Sequence, residues 1–340
     1  MAARWADIEA TDYHTAGEPF RIVTSGVPDI PGGTVADRRE YARQSEPVDR
    51  VRRLLCHEPR GHADMYGCFL VPPDDGGAHL GVLFWHKDGY STACGHGTIA
   101  LAEWAVRTGR VPAAADGDTD VVIDVPSGRV TARVSRSGGV TQRVAFRNVP
   151  SYVLARDVEV STARGPVRVD VSYGGAIYAS VAAASVGLAV TPGHYDDLIA
   201  VGREVKQALD GTSVARHPTD ARLSGIYGTI LFDEIGQTAE GPQQRNVTVF
   251  ADGEVDRSPC GSGTCARVAL LAADGALAVG RTLTHDSIIG TRFLSRVIEW
   301  TTAEGRAAVI CEVEGSAFRT GEHSFVLDDA DPVGTGFVLR

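Results

Sequence analysis

Cys94-Gly95-His96-Gly97-Thr98-Ile99-Ala100 and Cys260-Gly261-Ser262-Gly263-Thr264-Cys265-Ala266 are two copies of one element, 166 positions apart in a chain of 340 residues. Each copy follows a short β-branched or aromatic run (Leu80 to Trp85, Val247 to Ala251) and a turn-rich loop. Each opens a helical stretch that closes on a glycine, Gly109 or Gly275, fifteen residues past its cysteine. The pair predicts two related halves, each ending a strand–loop segment with a thiol at the start of a helix. A helix N-terminus presents unpaired N–H groups and the positive end of its dipole. Such a site binds an anion and draws a cysteine from about 8.5 toward roughly 3.5–7.5. Neither copy has the Gly-Lys-Ser/Thr ending of a phosphate loop, which argues against a nucleotide site.

Outward from the two elements, Ile8 to Val23 reads as strand, tight turn and strand. Ala36 to Leu55 reads as one helix with an apolar stripe of Tyr41, Val48, Val51, Leu54 and Leu55. Met65 to Val71 and Leu80 to Trp85 read as paired strands. Val121–Val125, Val130–Val134 and Val140–Phe146 form a meander, and Asn148-Val149-Pro150 is the expected crossing between halves. The second half repeats the plan: strands at Val158–Val160, Val167–Val171 and Ala176–Ala183, a helix at Tyr195–Leu209, then strands at Gly228–Phe232 and Val247–Ala251. Its tail gives strands at Arg292–Thr301, Arg306–Val313 and Ser324–Leu327. The expected fold class is α+β, a pair of similar domains facing one another, with boundaries at 1–149 and 150–319.

With 43% apolar and 22% charged residues the composition is that of an ordinary globular protein with ample core. A formal net charge of −10 argues against a nucleic-acid or acidic-membrane surface. Met1 to Ala10 carries charges and no apolar h-region, so no signal peptide is expected, and no apolar run approaches a membrane span. Six cysteines are too sparse for a disulfide scaffold, which predicts reduced thiols and a cytoplasmic location.

Ligand sites favour domain interfaces. If the halves face each other, both helix N-termini point into one cleft with Cys94 and Cys260 on opposite sides. The glycine amides would hold a carboxylate whose charge grows toward an enediolate as the neighbouring C–H is removed. One thiolate would take the α-proton and the opposing thiol would return one to the other face. Other chemistries fit less well. Cys260 and Cys265 have four residues between them, not the two of a redox pair. Cys94 and His96 lack metal-ligand spacing. A Cys-His hydrolase would leave the second motif unexplained. Cys56, Cys68 and Cys311 read as small buried apolar residues.

Asp12-x-His14-Thr15-x-Gly17-Glu18, Glu58-Pro59-Arg60-Gly61-His62, Cys94-Gly95-His96-Gly97-Thr98 and Asp256-Arg257-Ser258-Pro259-Cys260-Gly261 resemble the proline racemase family nearly end to end. That family includes proline racemases, hydroxyproline 2-epimerases and trans-3-hydroxy-L-proline dehydratases. The resemblance implies a diaminopimelate epimerase-like fold, each domain wrapping strands around a central helix, with residues 320–340 returning to the first domain. It implies Cys94 and Cys260 as paired acid/base thiols and Gly95, His96, Gly261 and Ser262 as carboxylate binders. It also implies Asp256 and the His96 side chain as holders of the ring nitrogen. His14 and His62 are read as structural. No cofactor or metal is expected; the partner is a proline-like small molecule, with a homodimer left open. Within the family a dehydratase usually has Thr at the position of Cys260, so the cysteine favours a racemase or epimerase. The stretches Gly174–Ala179 and Tyr227–Leu231 look closer to the dehydratase branch. Ala93 stands where Met is usual and Cys265 where Ser is common. The expected activity is thus a racemase or epimerase, with a 3-hydroxyproline dehydratase as the enzymatic alternative and a non-catalytic binding protein as the other.

Overall fold

The duplication seen in the two cysteine elements is written in the strand pairing of the computed structural model, which describes residues 7–339. The first half contains β1 (Ile8–Thr15), β2 (Glu18–Ser25), α1 (Val35–Gln44), α2 (Glu46–Cys56), β3 (Gly67–Val71), β4 (Leu80–His86), β5 (Gly89–Tyr90), α3 (Gly95–Arg107), β6 (Gly117–Val125), β7 (Gly128–Ser137) and β8 (Val140–Arg147). The second contains β9 (Ser151–Thr162), β10 (Gly165–Tyr173), β11 (Ile177–Ala182), α4 (Tyr195–Leu209), β12 (Ile226–Gln237), β13 (Pro242–Phe250), β14 (Glu254–Asp256), α5 (Gly261–Ala273), β15 (Thr282–Ser287), β16 (Arg292–Ala303), β17 (Arg306–Gly315) and β18 (Ala317–Phe325). Parallel pairs fall at equivalent places. β2 meets β3 across α1 and α2, as β11 meets β12 across α4. β4 meets β6 across α3, as β13 meets β15 across α5. The other pairings are antiparallel.

β9 bonds both β10 and β17, so the second sheet closes on itself. The first sheet begins at β18, which pairs with β1, and ends at β8, which pairs with Glu312–Gly315 of β17. Because β18 follows β17 after one residue, the chain leaves the second half at Ser316 and runs beside β1. Each barrel-like sheet encloses one helix. Gly95 through Val106 of α3 and Gly261 through Ala272 of α5 are buried on every side. That explains their lack of a polar stripe: a helix apolar all round is a buried one. Both end on glycines in the left-handed region, Gly109 at φ 73° and Gly275 at φ 71°.

The structure corrects the sequence reading in places. The single helix expected over Ala36 to Leu55 is two, broken at Ser45, whose φ of −90° and ψ of 103° are extended. Pro47 is the cause: inside a continuous helix it would lack the N–H that bonds the Arg43 carbonyl and would set its ring against that carbonyl, whereas in the first turn of a new helix neither cost arises. Tyr41, assigned to the apolar stripe, is 42% exposed, while Val48, Val51, Leu54 and Leu55 are buried. The polar strand β15, Thr-Leu-Thr-His-Asp-Ser, was not anticipated, and the last strand lies earlier than Ser324 to Leu327. Among the described residues no helix is long and apolar enough to cross a membrane.

Candidate active site

Cys94 is the residue before α3, and Cys260 the residue before α5. The Cys94 sulphur lies over the first helical turn, where the Gly97 N–H donates to it at 3.2 Å. The second glycine of each motif makes room for its own sulphur: a Cβ at Gly97 or at Gly263 would lie 2.8 Å from its cysteine's Sγ, and at Gly97 it would also meet the Phe20 ring. The first glycines serve a different contact. A Cβ on Gly95 would lie 2.5 Å from the Gly261 Cα, and one on Gly261 would lie 2.6 Å from the Gly95 Cα. The two helix N-termini therefore abut, backbone against backbone, with a thiol on either side. The thiols differ in backbone: Cys94 is extended, whereas Cys260 sits at φ 62°, ψ 104°. A non-glycine residue there costs on the order of 1–3 kcal/mol, and such strain clusters at functional sites. The Ser258 hydroxyl accepts from the Cys260 N–H at 3.0 Å and helps hold the conformation.

All seven residues singled out in the sequence, Cys94, Gly95, His96, Asp256, Cys260, Gly261 and Ser262, line one cavity. Asp256 accepts from the Ser258 N–H at 2.8 Å and from its hydroxyl at 2.7 Å. Its other oxygen lies 3.7 Å from the His96 Nδ1, and Ser262 shares a hydrogen bond of 2.7 Å with the Tyr178 hydroxyl. The cavity holds only about 10 Å3, room for about one water. A far larger one of about 550 Å3 lies next door between the halves, and Tyr227 borders both. His14 and His62 do not join the site: their Nδ1 atoms accept from the N–H groups of Gly17 and Asp64, which fits a structural role.

The sequence matches the proline racemase family over residues 10–338. The chain belongs to the proline racemase family. It is 43% identical over 335 residues to a trans-3-hydroxy-L-proline dehydratase of Colwellia psychrerythraea, covering 98% of this chain and 93% of that one. It is 46% identical over 336 residues to a 3-hydroxyproline 2-epimerase of Burkholderia multivorans, covering 98% of each. Its fold superposes with a TM-score of 0.91 on the crystal structure of a hydroxyproline epimerase from Agrobacterium vitis with bound trans-4-hydroxy-L-proline, at 31% identity, covering 99% of this chain and 97% of that one. The fold is therefore α+β and diaminopimelate epimerase-like, as the motifs implied.

Electrostatically, this member of the family keeps its site closed and short of positive charge. The helix N-termini were expected to lower both thiols; burial instead pushes both up, and charge on Asp256 adds to the effect. Burial also pushes Asp256 up to about 6, against the pull of its two bonds from Ser258. His96 is lowered to about 3 by burial, so it is a neutral imidazole and its contact with Asp256 is not an ion pair. Glu18 is fully buried beside Asp256 and raised well above the carboxylate range, first by burial and then by Asp256. One of its oxygens accepts from the Arg257 N–H at 2.7 Å, and the other has no partner. The Arg257 side chain pairs with Asp64 of the first half at 2.7 Å.

Sequence reasoning missed Glu18, Tyr66, Tyr178, Tyr227 and Phe250, which surround or back the cavity. Glu18, Tyr178 and Tyr227 stood inside quoted motifs without a role, and no spacing rule points to an isolated Tyr66 or Phe250. Elsewhere, His86, Asp88 and Glu254 bring one metal-ligating atom each within 4.8 Å of one another. The Lys87 ammonium lies 2.7 Å from Asp88 and 3.8 Å from Glu254, so a cation already occupies that cluster.

Proposed function

We propose that the chain is a cofactor-independent racemase or epimerase of proline or hydroxyproline, working by two-thiol proton transfer at the α-carbon. The observation that carries the reading is the abutment of two helix N-termini at Gly95 and Gly261 with Cys94 and Cys260 on either side. The substrate carboxylate would take the N–H groups at Gly95, His96, Gly261 and Ser262, where the dipoles of both helices favour negative charge. The ring nitrogen, a cation in the free amino acid, would sit at Asp256 and His96. A thiolate on one side then takes the α-proton, and the electron pair spreads into the carboxylate as an enediolate that the same N–H groups stabilise. The opposite thiol gives its proton to the other face of the carbon. The configuration is inverted and the two sulphurs have exchanged roles. Neither the proton transfers nor the charge stabilisation calls for a metal or a redox group.

A cavity of about 10 Å3 cannot hold a proline ring, so the cleft opens to admit substrate and closes over it. The moving parts in this reading are domains of residues 1–149 with 320–340, and 150–319; the pairing of β18 with β1 supports the return of the tail. We place the protein in the cytoplasm, where its six free, buried cysteines stay reduced.

A dehydratase is the second reading, favoured by the 43% identity to a protein of that name. It would need one base, Cys94, and would leave the second thiol without a task. Cys260 therefore tips the choice. Incubation in D2O with L-proline, cis- and trans-4-hydroxyproline and trans-3-hydroxy-L-proline, followed by NMR, tests both. α-Deuteration with loss of optical purity supports the epimerase, a pyrroline product supports the dehydratase, and no exchange with any of them refutes both.

A further inference from the structure

β14 is three residues long, and one of its edges is finished by the other half of the molecule. On its own side it pairs with β13, Thr248 opposite Asp256 and Phe250 opposite Glu254. Successive N–H groups of a strand point to opposite edges, so those of Val255 and of Arg257 just beyond it face away from β13 and need acceptors elsewhere. Both find first-half carboxylates. The Val255 N–H donates to Asp64 at 3.1 Å, and the Arg257 N–H donates to Glu18 at 2.7 Å. Asp256 stands between these two residues. Ser258 holds its carboxylate from within the second half, while its backbone is gripped on either side from the first.

The β1–β2 turn sets Glu18 in place. Ala16 and Gly17 take φ of 53° and 94°, a tight reversal that brings the first residue of β2 to the seam. The same turn touches the second half at two further points. The Ala16 carbonyl accepts from the Thr291 hydroxyl at 2.7 Å, and a Cβ on Gly17 would collide with the Ile289 side chain. On its inner side the Thr15 hydroxyl donates to the His96 carbonyl at 2.9 Å. One hairpin end thus holds both the helix turn that carries His96 and the strand end that carries Asp256.

Two-thiol proton transfer gives Glu18 no task of its own. It is fully buried, and one of its oxygens has no partner. Burying a carboxyl in this way is costly, and an apolar side chain would fill the seam at lower cost. What the carboxyl supplies that an apolar residue cannot is the oxygen on the Arg257 N–H. Burial, and then charge on Asp256, push Glu18 toward its protonated form, in which it holds that N–H without setting a second negative charge beside Asp256.

We infer that Glu18 is a positioning residue for the reaction: as the halves close it caps the Arg257 N–H, and so fixes Asp256 and the loop that leads on to Cys260. The inference rests on the proposed function for what is positioned, and it fails separately from it. Glu18→Gln keeps an oxygen of the same reach, whereas Glu18→Met keeps the bulk and has no oxygen to offer. A buried N–H left without an acceptor is worth about tenfold or more in the equilibrium that buries it. Glu18→Met should therefore speed amide exchange across residues 255–258 at least about tenfold, and lower kcat/KM for α-deuteration of the best proline substrate by about as much. Glu18→Gln should recover most of both losses. Exchange in β13, on the strand's other edge, should stay as in the wild type, a result that general destabilisation would not give. The amides are followed by NMR or mass spectrometry with and without pyrrole-2-carboxylate, and α-deuteration by NMR in D2O. Unchanged exchange at residues 255–258 in Glu18→Met under both conditions overturns the inference, as does exchange that rises equally in β13. So does a glutamine variant no better than the methionine one, or faster exchange with kcat/KM kept within threefold. If the wild type deuterates no proline, the proposed function falls, and amide exchange alone decides whether Glu18 holds this strand.

Discussion

Gly95→Ala isolates the contact on which the two-helix site depends. The added methyl would stand 2.5 Å from the Gly261 Cα, 2.7 Å from its carbonyl carbon and 2.8 Å from the Ser262 N. Ordinary contact begins near 3.4 Å, and all three atoms are backbone, so no rotamer change relieves the clash. The helices must part by about 0.9 Å, which moves Cys94 and Cys260 apart across the reacting carbon. A misplacement of about 1 Å is enough to cost roughly 10²-fold in rate, and that is the expected fall in α-proton exchange with the best substrate. Stability should suffer much less, because the contact lies between the two barrel-like sheets, outside the packing of either. A cost of about 1–3 kcal/mol is the usual range for overpacking. Parting the halves relieves part of it, so a fall in Tm of a few degrees is expected, with a single cooperative transition. The assay is NMR exchange in D2O beside a thermal melt. Exchange within threefold of wild type would refute the abutting-helix account of the site. So would a loss of rate that merely tracks loss of folded protein.

Further outcomes follow from the same geometry. Cys94→Ser and Cys260→Ser should each abolish racemisation, since a hydroxyl is too weak an acid for either role, while single-face α-exchange through the remaining thiol persists; full racemisation in either variant defeats the two-thiol scheme. kcat/KM should fall with acid on a limb near pH 6, because Asp256, pushed up to about 6 in the free site, loses its charge below that and no longer holds the ring cation; an unchanged limb in Asp256→Asn would assign it elsewhere. Pyrrole-2-carboxylate, an anion without a ring cation, should bind competitively and take up protons near pH 7, since it raises Asp256 further; calorimetry in buffers of differing ionisation enthalpy reads the sign, and proton release would contradict it. Glu254, buried and raised well above its usual value chiefly by burial, contributes stability that is present below its unfolded value of about 4.3 and lost as pH rises through the folded one. The stability of Glu254→Gln relative to wild type should therefore improve between pH 4 and pH 8, and a constant difference in denaturant melts would rule that out.

The duplicated cysteine element, and the meeting of its residues in one cavity, were legible in the sequence because short motifs encode them locally. A cysteine three residues before the second of two glycines places a sulphur over a helix start by backbone geometry alone. Other features depend on partners far away in the chain. β15 reads as polar yet is buried between β13 and β16, because its side chains find partners there: His285 is bonded to Thr264 at 2.8 Å and Asp286 is paired with Arg292 at 2.6 Å. The aromatic wall joins Tyr66 to Tyr227 across 161 positions, and no periodicity links them. The reason for Gly95 and Gly261 was likewise hidden. Each read as a carboxylate-binding amide, and the structure shows that each also makes room for the other's backbone.

The raised thiols suggest when the chemistry becomes possible. Cys94, Cys260, Asp256 and Glu18 crowd the closed site, and all four are displaced toward their protonated forms, mainly by burial. Arg257 faces this group, but its guanidinium is taken by Asp64. Closing the halves on nothing therefore favours a site in which no thiolate is present. A proline-like zwitterion changes the balance at both ends. Its carboxylate takes the N–H groups at the two helix N-termini, and its ring cation gives Asp256 a partner that favours the ionised carboxylate. An ionised, paired Asp256 no longer weighs as an uncompensated charge on the sulphurs, and the ring cation beside the reacting carbon stabilises a thiolate as well as the enediolate that follows. In this account substrate charge, rather than the helix dipole alone, ionises the base. Under the proposed two-thiol mechanism, the thiolate would form only once the compound to be deprotonated is enclosed.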